Sequence, residues 1–164
     1  MDTPSRLMVD FETLGTNEDA VILSVGLIPF SETEISDGHY MEFNVLDQIA
    51  AGRSVSRSTQ EWWIKTNQDE FLKLLNSGSY HLSEVSHTLD EIGKIDEVWS
   101  RGCMDFHMLN HITGSRFPFY KARDVRTLDT FYSWKGKNKH NAYDDCLNQI
   151  EHFQKVMNDF RKED

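Results

Sequence analysis

The side-chain pattern changes period part-way along the chain, and that change restricts the fold more than any other feature of the sequence. Residues 6–10 (Arg-Leu-Met-Val-Asp) and 20–28 (Ala-Val-Ile-Leu-Ser-Val-Gly-Leu-Ile) are short runs rich in branched side chains. Gly15-Thr16-Asn17 separates them and Pro29 closes the second, so they read as two strands joined by a turn. Over 39–45, Tyr40, Glu42 and Asn44 alternate with Met41, Phe43 and Val45, which predicts a third strand and an antiparallel start. After Ser58 the period becomes helical. A capping-type residue opens Thr59-Gln60-Glu61-Trp62-Trp63-Ile64, and Phe71, Leu72, Leu74 and Leu75 cluster on one face. Val85, Leu89 and Ile92 continue at spacings of four and three. Residues 97–100 are short enough for a buried strand, stopped by Gly102. A helix is expected over 105–112, a short strand or the beginning of a helix over 124–128, and a long terminal helix over 141–160. In that last helix Ala142, Cys146, Ile150, Phe153 and Met157 recur at the helical period. Strands first, then strands interleaved with helices, predict an α/β protein with a mixed sheet flanked by helices. No repeat, linker or low-complexity tract divides the sequence, so residues 1–164 are expected to form one domain.

Composition excludes several classes. Hydrophobic residues make up 38% and charged residues 27%, with 10 Phe, 5 Tyr and 4 Trp, which is incompatible with disorder and supplies bulky core filling. Residues 1–6 lack the basic, apolar, small-residue order of a signal peptide, and no apolar run approaches the ~20 residues of a membrane span. A cytoplasmic protein is expected, with Cys103 and Cys146 as two buried thiols rather than a disulfide. A formal charge of −10 argues against gripping nucleic acid by bulk electrostatics. Between residues 121 and 139, however, six basic residues (Lys121, Arg123, Arg126, Lys135, Lys137, Lys139) face two acidic ones (Asp124, Asp129). Such a run is either a solvated face or a functional one, and its place directly before His140 favours function.

Asp10 and Glu12 end the first predicted strand, and residues i and i+2 of a strand face one side. Two carboxylates held close repel unless a cation neutralises them, so the pair is either a solvated strand end or a seat for hard divalent ions. Asp105 follows the 97–100 strand through the Gly102 turn, as a helix N-cap or as a third carboxylate of the same site. His140 lies just before the terminal helix and Asp145 within it. An Asp among that helix's apolar positions needs a partner or a metal if it points inward. Asp144 is expected to be exposed, with Asn141 as a weak cap. His107 and His111 share a helix face with no acid or thiol to complete a metal site, which makes them surface or interface histidines.

Asp-x-Glu on the first strand, a mid-chain Asp after a later strand and His-x-x-x-x-Asp opening the last helix together resemble the DEDDh 3′-to-5′ exonucleases of the ribonuclease-H-like superfamily. Asp10-Phe11-Glu12-Thr13-Leu14-Gly15 and His140-Asn141-Ala142-Tyr143-Asp144-Asp145 are most similar to a small exoribonuclease branch that includes RNase AS and related phage proteins. The resemblance spans residues 6 to about 160. It implies a mixed five- or six-stranded sheet, and two divalent cations, Mg²⁺ or Mn²⁺, held by Asp10, Glu12, Asp105 and Asp145. It further implies that His140 orients or deprotonates the attacking water. Two cations about 4 Å apart activate a water on one side of a scissile phosphate and stabilise the leaving 3′ oxygen on the other, and histidine is the side chain suited to proton transfer near neutrality.

The expected partner is the 3′ end of single-stranded RNA or DNA, RNA favoured on the resemblance, with release of nucleoside 5′-monophosphates. Thr13, Leu14 and Gly15 are expected at the terminal nucleotide, Trp62 or Trp63 against a base, and Arg123 and Arg126 on phosphates or paired with Asp124 and Asp129. Adjacent helical residues point about 100° apart, so one of the two tryptophans is expected in the core. The alternatives are a polymerase-associated proofreading subunit or a non-catalytic nucleic-acid-binding module, the latter disfavoured because every motif carboxylate is present. Similar small exonucleases dimerise, and the aromatic content is generous for one small core, so a homodimer is expected.

Overall fold

The computed structural model describes residues 4–136 and 139–162, so Lys137 of the basic run lies outside the described residues. The elements are β1 (Arg6–Thr13), β2 (Ile22–Phe30), β3 (His39–Glu42), α1 (Val45–Ala50), α2 (Arg57–Ser77), α3 (Glu84–Ile92), β4 (Glu97–Ser100), α4 (Cys103–Ile112), β5 (Ala122–Asp124) and α5 (Ala142–Lys162). Short 3-10 turns flank β5 at Phe119–Lys121 and Val125–Thr130. The five strands form one mixed sheet in the order β3-β2-β1-β4-β5. β1 to β3 are antiparallel neighbours, whereas β4 and β5 join parallel to β1. The antiparallel start and the mixed sheet are as the sequence predicts. Among the described residues, no helix is long and apolar enough to cross a membrane.

Several local expectations are corrected. Pro29 does not close β2 but lies within it, opposite Leu7. β3 pairs with β2 only over Ser24 to Leu27, so the missing N–H of Pro29 leaves no ladder bond unmade. The third strand ends at Glu42 rather than 45, because the Asn44 side chain accepts from the Asp47 N–H at 3.1 Å and starts the short α1. α2 begins one turn's edge earlier than expected, capped by Ser56, and is broken at Asn67, whose φ of −155° and ψ of 68° are not helical. The Asn67 side chain caps the second half by accepting from the Glu70 N–H. Cys146 is buried, but Cys103 is exposed, since it is the first residue of α4 and points off the core.

Alternation along β1 divides the core. Leu7, Val9 and Phe11 pack with Val25, Leu27, Val85, Leu89, Phe106 and Leu109 on the α3 and α4 side. Met8 packs with Ile28, Trp99, Cys146, Ile150 and Phe153 on the α5 side. α5 lies unusually close to the sheet: a Cβ added at Gly26 would stand 2.5 Å from the Ala142 carbonyl oxygen. The Cys146 thiol donates to the Gly26 carbonyl at 3.4 Å. Gly26 is the β2 partner of Asp10, so this contact sets the start of α5 over the strand that ends in Asp10 and Glu12. The clash would be with backbone, which cannot swing aside. Gly26→Ala is therefore expected to cost about 1–3 kcal/mol and to displace the first turn of α5. Thermal melts would show it, and an unshifted melting temperature would mean that the helix tolerates a wider gap.

Candidate active site

Asp10 and Glu12 follow Met8 onto the face of β1 that looks toward α5, because side chains alternate along a strand. β4 pairs with β1 only as far as Met8, so the last residues of β1 run past the end of β4. There the Phe11 N–H donates to Asp105 Oδ1 at 3.2 Å. Asp105 is thus not the cap of its helix. α4 starts two residues before it, after Gly102 turns the chain with a φ of +116°, a region that side chains avoid. The Gly102 N–H donates to Asp124 Oδ1, and the Ser100 hydroxyl to the Gly102 carbonyl. A register shift between Glu12 and Thr13 in the β1–β2 ladder re-aims the end of the strand beside these acids.

His140 and Asp145 arrive from the other side. Lys139 and His140 donate their backbone N–H groups to the two oxygens of Asp145, at 2.8 and 3.0 Å. The Asn141 side chain caps α5 by accepting from the Asp144 N–H at 3.1 Å. This tight wrap holds His140 at φ +56°, a left-handed conformation that costs a non-glycine residue about 1–2 kcal/mol. Its ring meets the Trp62 ring edge-on, with centroids 4.8 Å apart, and lies 6.0 Å from that of Trp63. Trp63 is core: it stacks on Phe71 and its indole N–H donates to the Thr13 carbonyl at 3.0 Å. Trp62 is 43% exposed. One ligand atom each of Glu12, His140 and Asp145 lie within 4.8 Å of one another.

The acids are uncomfortable together. Burial, then Asp145 and Asp105, with Glu70 adding, pushes Glu12 up to about 8. Burial pushes Asp105 up to about 7 against the Phe11 hydrogen bond. Asp10 is raised well above the usual carboxylate range by burial and then by Asp105, Glu12 and Asp145, opposed by a hydrogen bond from Gln149. Asp145 is raised by burial despite its two backbone donors. Burial, then Asp10, Asp105 and Asp145, also hold the Cys146 thiol up. Removal of the charges by protonation or their neutralisation by a cation relieves this repulsion.

Of the residues singled out from the sequence, Asp10, Glu12, Asp105, His140 and Asp145 are brought to one place. Thr13 and Gly15 line an adjoining cleft of about 350 Å³ with Trp62, Met104 and Thr59. The Thr13 hydroxyl donates to the Gly15 carbonyl at 2.6 Å. Leu14 does not face that cleft: it is buried against Val21, Leu23, Trp63 and Leu74, since the bulge turns it into the third core cluster. Arg123 is engaged by Glu97 and the Tyr120 carbonyl, and Arg126 by Asp124, so neither lines the cleft. His107 and His111 are exposed. The sequence reading missed Gln149, buried on α5, whose side-chain amide donates to Asp10 Oδ1 at 2.9 Å. Its signal is a polar residue four places after Asp145, on the same inward stripe.

A mixed sheet with Asp10 and Glu12 near the C-terminal end of β1, Asp105 in the first turn of α4 and Asp145 in the first turn of α5 is a ribonuclease-H-like fold with its acids gathered at one end of the sheet. The same fold appears in the crystallographic structure of the nuclease domain of 3′hExo, a DEDDh family member bound to rAMP. That match covers 96% of this chain and 94% of that one, at a TM-score of 0.58 and 14% identity. None of the curated proteins matches the chain by sequence. The model of the 3′-5′ exoribonuclease Rv2179c-like domain matches residues 5–157, and the chain belongs to that family of 3′-to-5′ exonucleases.

Proposed function

We propose that the protein trims single-stranded RNA from its 3′ end, releasing nucleoside 5′-monophosphates, with Asp10, Glu12, Asp105 and Asp145 holding two divalent cations and His140 serving as the base. The observation that carries the reading is the gathering of mutually repelling, largely buried carboxylates beside a histidine held in a strained backbone. Such a set fits hard cations such as Mg²⁺ or Mn²⁺, which take oxygen ligands and offset clustered charge. The preference for RNA rests on the family's description and on the rAMP bound to the similar 3′hExo domain.

Cations held by these acids would supply the positive charge that draws in the phosphodiester and would lower the pKa of a bound water. The chain's own residues do the rest. Gln149 holds one oxygen of Asp10 by a hydrogen bond at 2.9 Å. The backbone N–H groups of Lys139 and His140 fix Asp145. Trp62 backs the His140 ring, and a ring nitrogen within 4.8 Å of Glu12 and Asp145 oxygens would accept the proton of an attacking water there. The half-exposed Trp62 also lines the cleft beside Thr13 and Gly15, where the terminal base stacks.

The direct test is hydrolysis of matched 5′-labelled RNA and DNA single strands in Mg²⁺ or Mn²⁺. Products shortened one nucleotide at a time from the 3′ end, faster on RNA, are expected; internal cuts or action on DNA alone would overturn the reading. Stability reports the cations independently. Protonated acids must ionise before they bind metal, so Mn²⁺ should raise the melting temperature more at pH 8 than at pH 5. An equal rise at both would place the metal elsewhere. The homodimer is supported by Phe119 and Tyr120, 85% and 65% exposed beside the edge strand β5. Sedimentation at micromolar concentration should give twice the chain mass, and a monomer would end that idea.

A further inference from the structure

The basic run before His140 is divided by the fold. Lys121 donates to the Ile95 carbonyl, Arg123 to Glu97 and Arg126 to Asp124, so the first half of the run is spent on internal contacts. Of the second half, the Lys139 ammonium pairs with Asp144 at 3.4 Å and Lys135 lies against the Tyr132 ring. Lys135 and Lys139 line a groove of about 410 Å³ along α5, opposite Lys155, with Tyr132 and His152 in its walls and Glu151 as its one carboxylate. Three lysines against Glu151, with Asp144 paired to Lys139 at the groove's edge, leave a net positive depression in a chain of charge −10.

The groove is well fixed on one side. His152 is buried on α5, with Nε2 3.1 Å from Asp129 Oδ1. Asp129 also pairs with Arg101 at 3.0 Å, and the Arg101 guanidinium lies 4.3 Å over the Trp134 ring, which in turn meets His152 edge-on at 5.2 Å. These contacts pin the segment carrying Tyr132 and Lys135 to α5 and to the turn before α4. Burial keeps His152 on the neutral side, so the groove's positive charge is that of its lysines. The Lys155 and Lys135 ammonium groups sit 4.3 and 5.6 Å from the Tyr132 ring centroid, which holds both lysines at the groove.

Position gives the groove its meaning. Lys139 lines it and also donates its backbone N–H to Asp145, so the groove begins where the carboxylate cluster ends. The cleft beside Thr13 and Trp62 is lined by Glu12 and adjoins His140 through the Trp62 ring. From Asp145 to Lys155 is ten residues of helix, about 15 Å of rise, enough for more than one phosphate. We infer that the Lys135–Lys139–Lys155 groove is an upstream subsite that holds the phosphodiester backbone of single-stranded RNA on the 5′ side of the bond being cut. The inference rests on the exonuclease reading of the carboxylate site. Recognition there is of phosphate charge, independent of sequence.

A length series tests it. With labelled oligoribonucleotides of two, four and eight residues, the Lys135→Ala/Lys155→Ala protein should raise KM about tenfold on the octamer, with kcat held, and by progressively less on shorter chains. Anisotropy titrations of the octamer on an Asp10→Asn background should show a log–log salt slope shallower by about 0.7 for each lysine removed. Lys162→Ala, which removes a charge from the far end of α5, serves as the control, and melting curves confirm that each variant is folded. Equal changes on dinucleotide and octamer, no change on either, or the same loss from Lys162→Ala would overturn the subsite. If the unaltered protein releases no mononucleotide from any RNA, the exonuclease reading has failed rather than the groove.

Discussion

Asp10→Asn is expected to lower cleavage by roughly three orders of magnitude, the scale on which charge stabilisation at a reacting phosphate contributes, while leaving the fold intact. Asparagine keeps the shape of the side chain and an oxygen to accept from the Gln149 amide. What it loses is the negative charge and the second carboxylate oxygen. Calorimetric titration with Mn²⁺ should show weaker or fewer sites, and full activity with unchanged metal binding would remove Asp10 from the metal set. The metal-free protein supplies a second readout with a definite sign. Glu12 and Asp105 are pushed up to about 8 and about 7, and Asp10 is raised too, whereas unfolded carboxyls titrate near 4. Between those limits the folded state holds more protons than the unfolded one, so these groups cost nothing below about pH 4 and destabilise increasingly up to about pH 8. Asp10→Asn removes one contributor. Without metal the variant should therefore melt higher than the unaltered protein at pH 8, by about 2–4 °C for each kcal/mol relieved, with the gap closing toward pH 4.

His140→Ala is expected to lower turnover by about 10² to 10⁴, the usual worth of a positioned base, and to flatten the acidic limb of the pH–rate profile. The backbone N–H that holds Asp145 survives the substitution, so Mn²⁺ affinity should stay within about threefold if His140 acts on water and not on metal. A matching loss of metal affinity would instead make His140 a ligand, as its closeness to Glu12 and Asp145 permits. Residue 140 sits at φ +56°, where alanine is strained and glycine is at ease. His140→Gly separates the two effects: it should be no less stable than His140→Ala and equally slow. Full turnover with the original acidic limb in either variant would reduce His140 to a residue that merely leads into α5.

The sequence by itself determined what local periodicity can carry. β1 and β2, the interleaved later elements and the long α5 follow from alternation and helical spacing, and Asp10 with Glu12 follows from two residues on one side of one strand. The order of the five motif residues, with a helix opening at Asn141, was enough to point to the class of nuclease. Only the tertiary structure decided what depends on distance across the chain. Leu14 sits in a motif that suggested the cleft, yet one bulge turns it into the core. Arg123 is tied down by Glu97, 26 residues away, while Arg126 takes the nearby Asp124 partner its sequence allowed, and Lys155, 16 residues from Lys139 in sequence, joins the basic run on the surface of α5. Gln149 reads as one more polar helix residue until the close approach of α5 to Gly26 sets it on Asp10. A strand or helix pattern fixes which way a side chain points from its own element, but what it meets there is set by the packing of elements far apart in the chain.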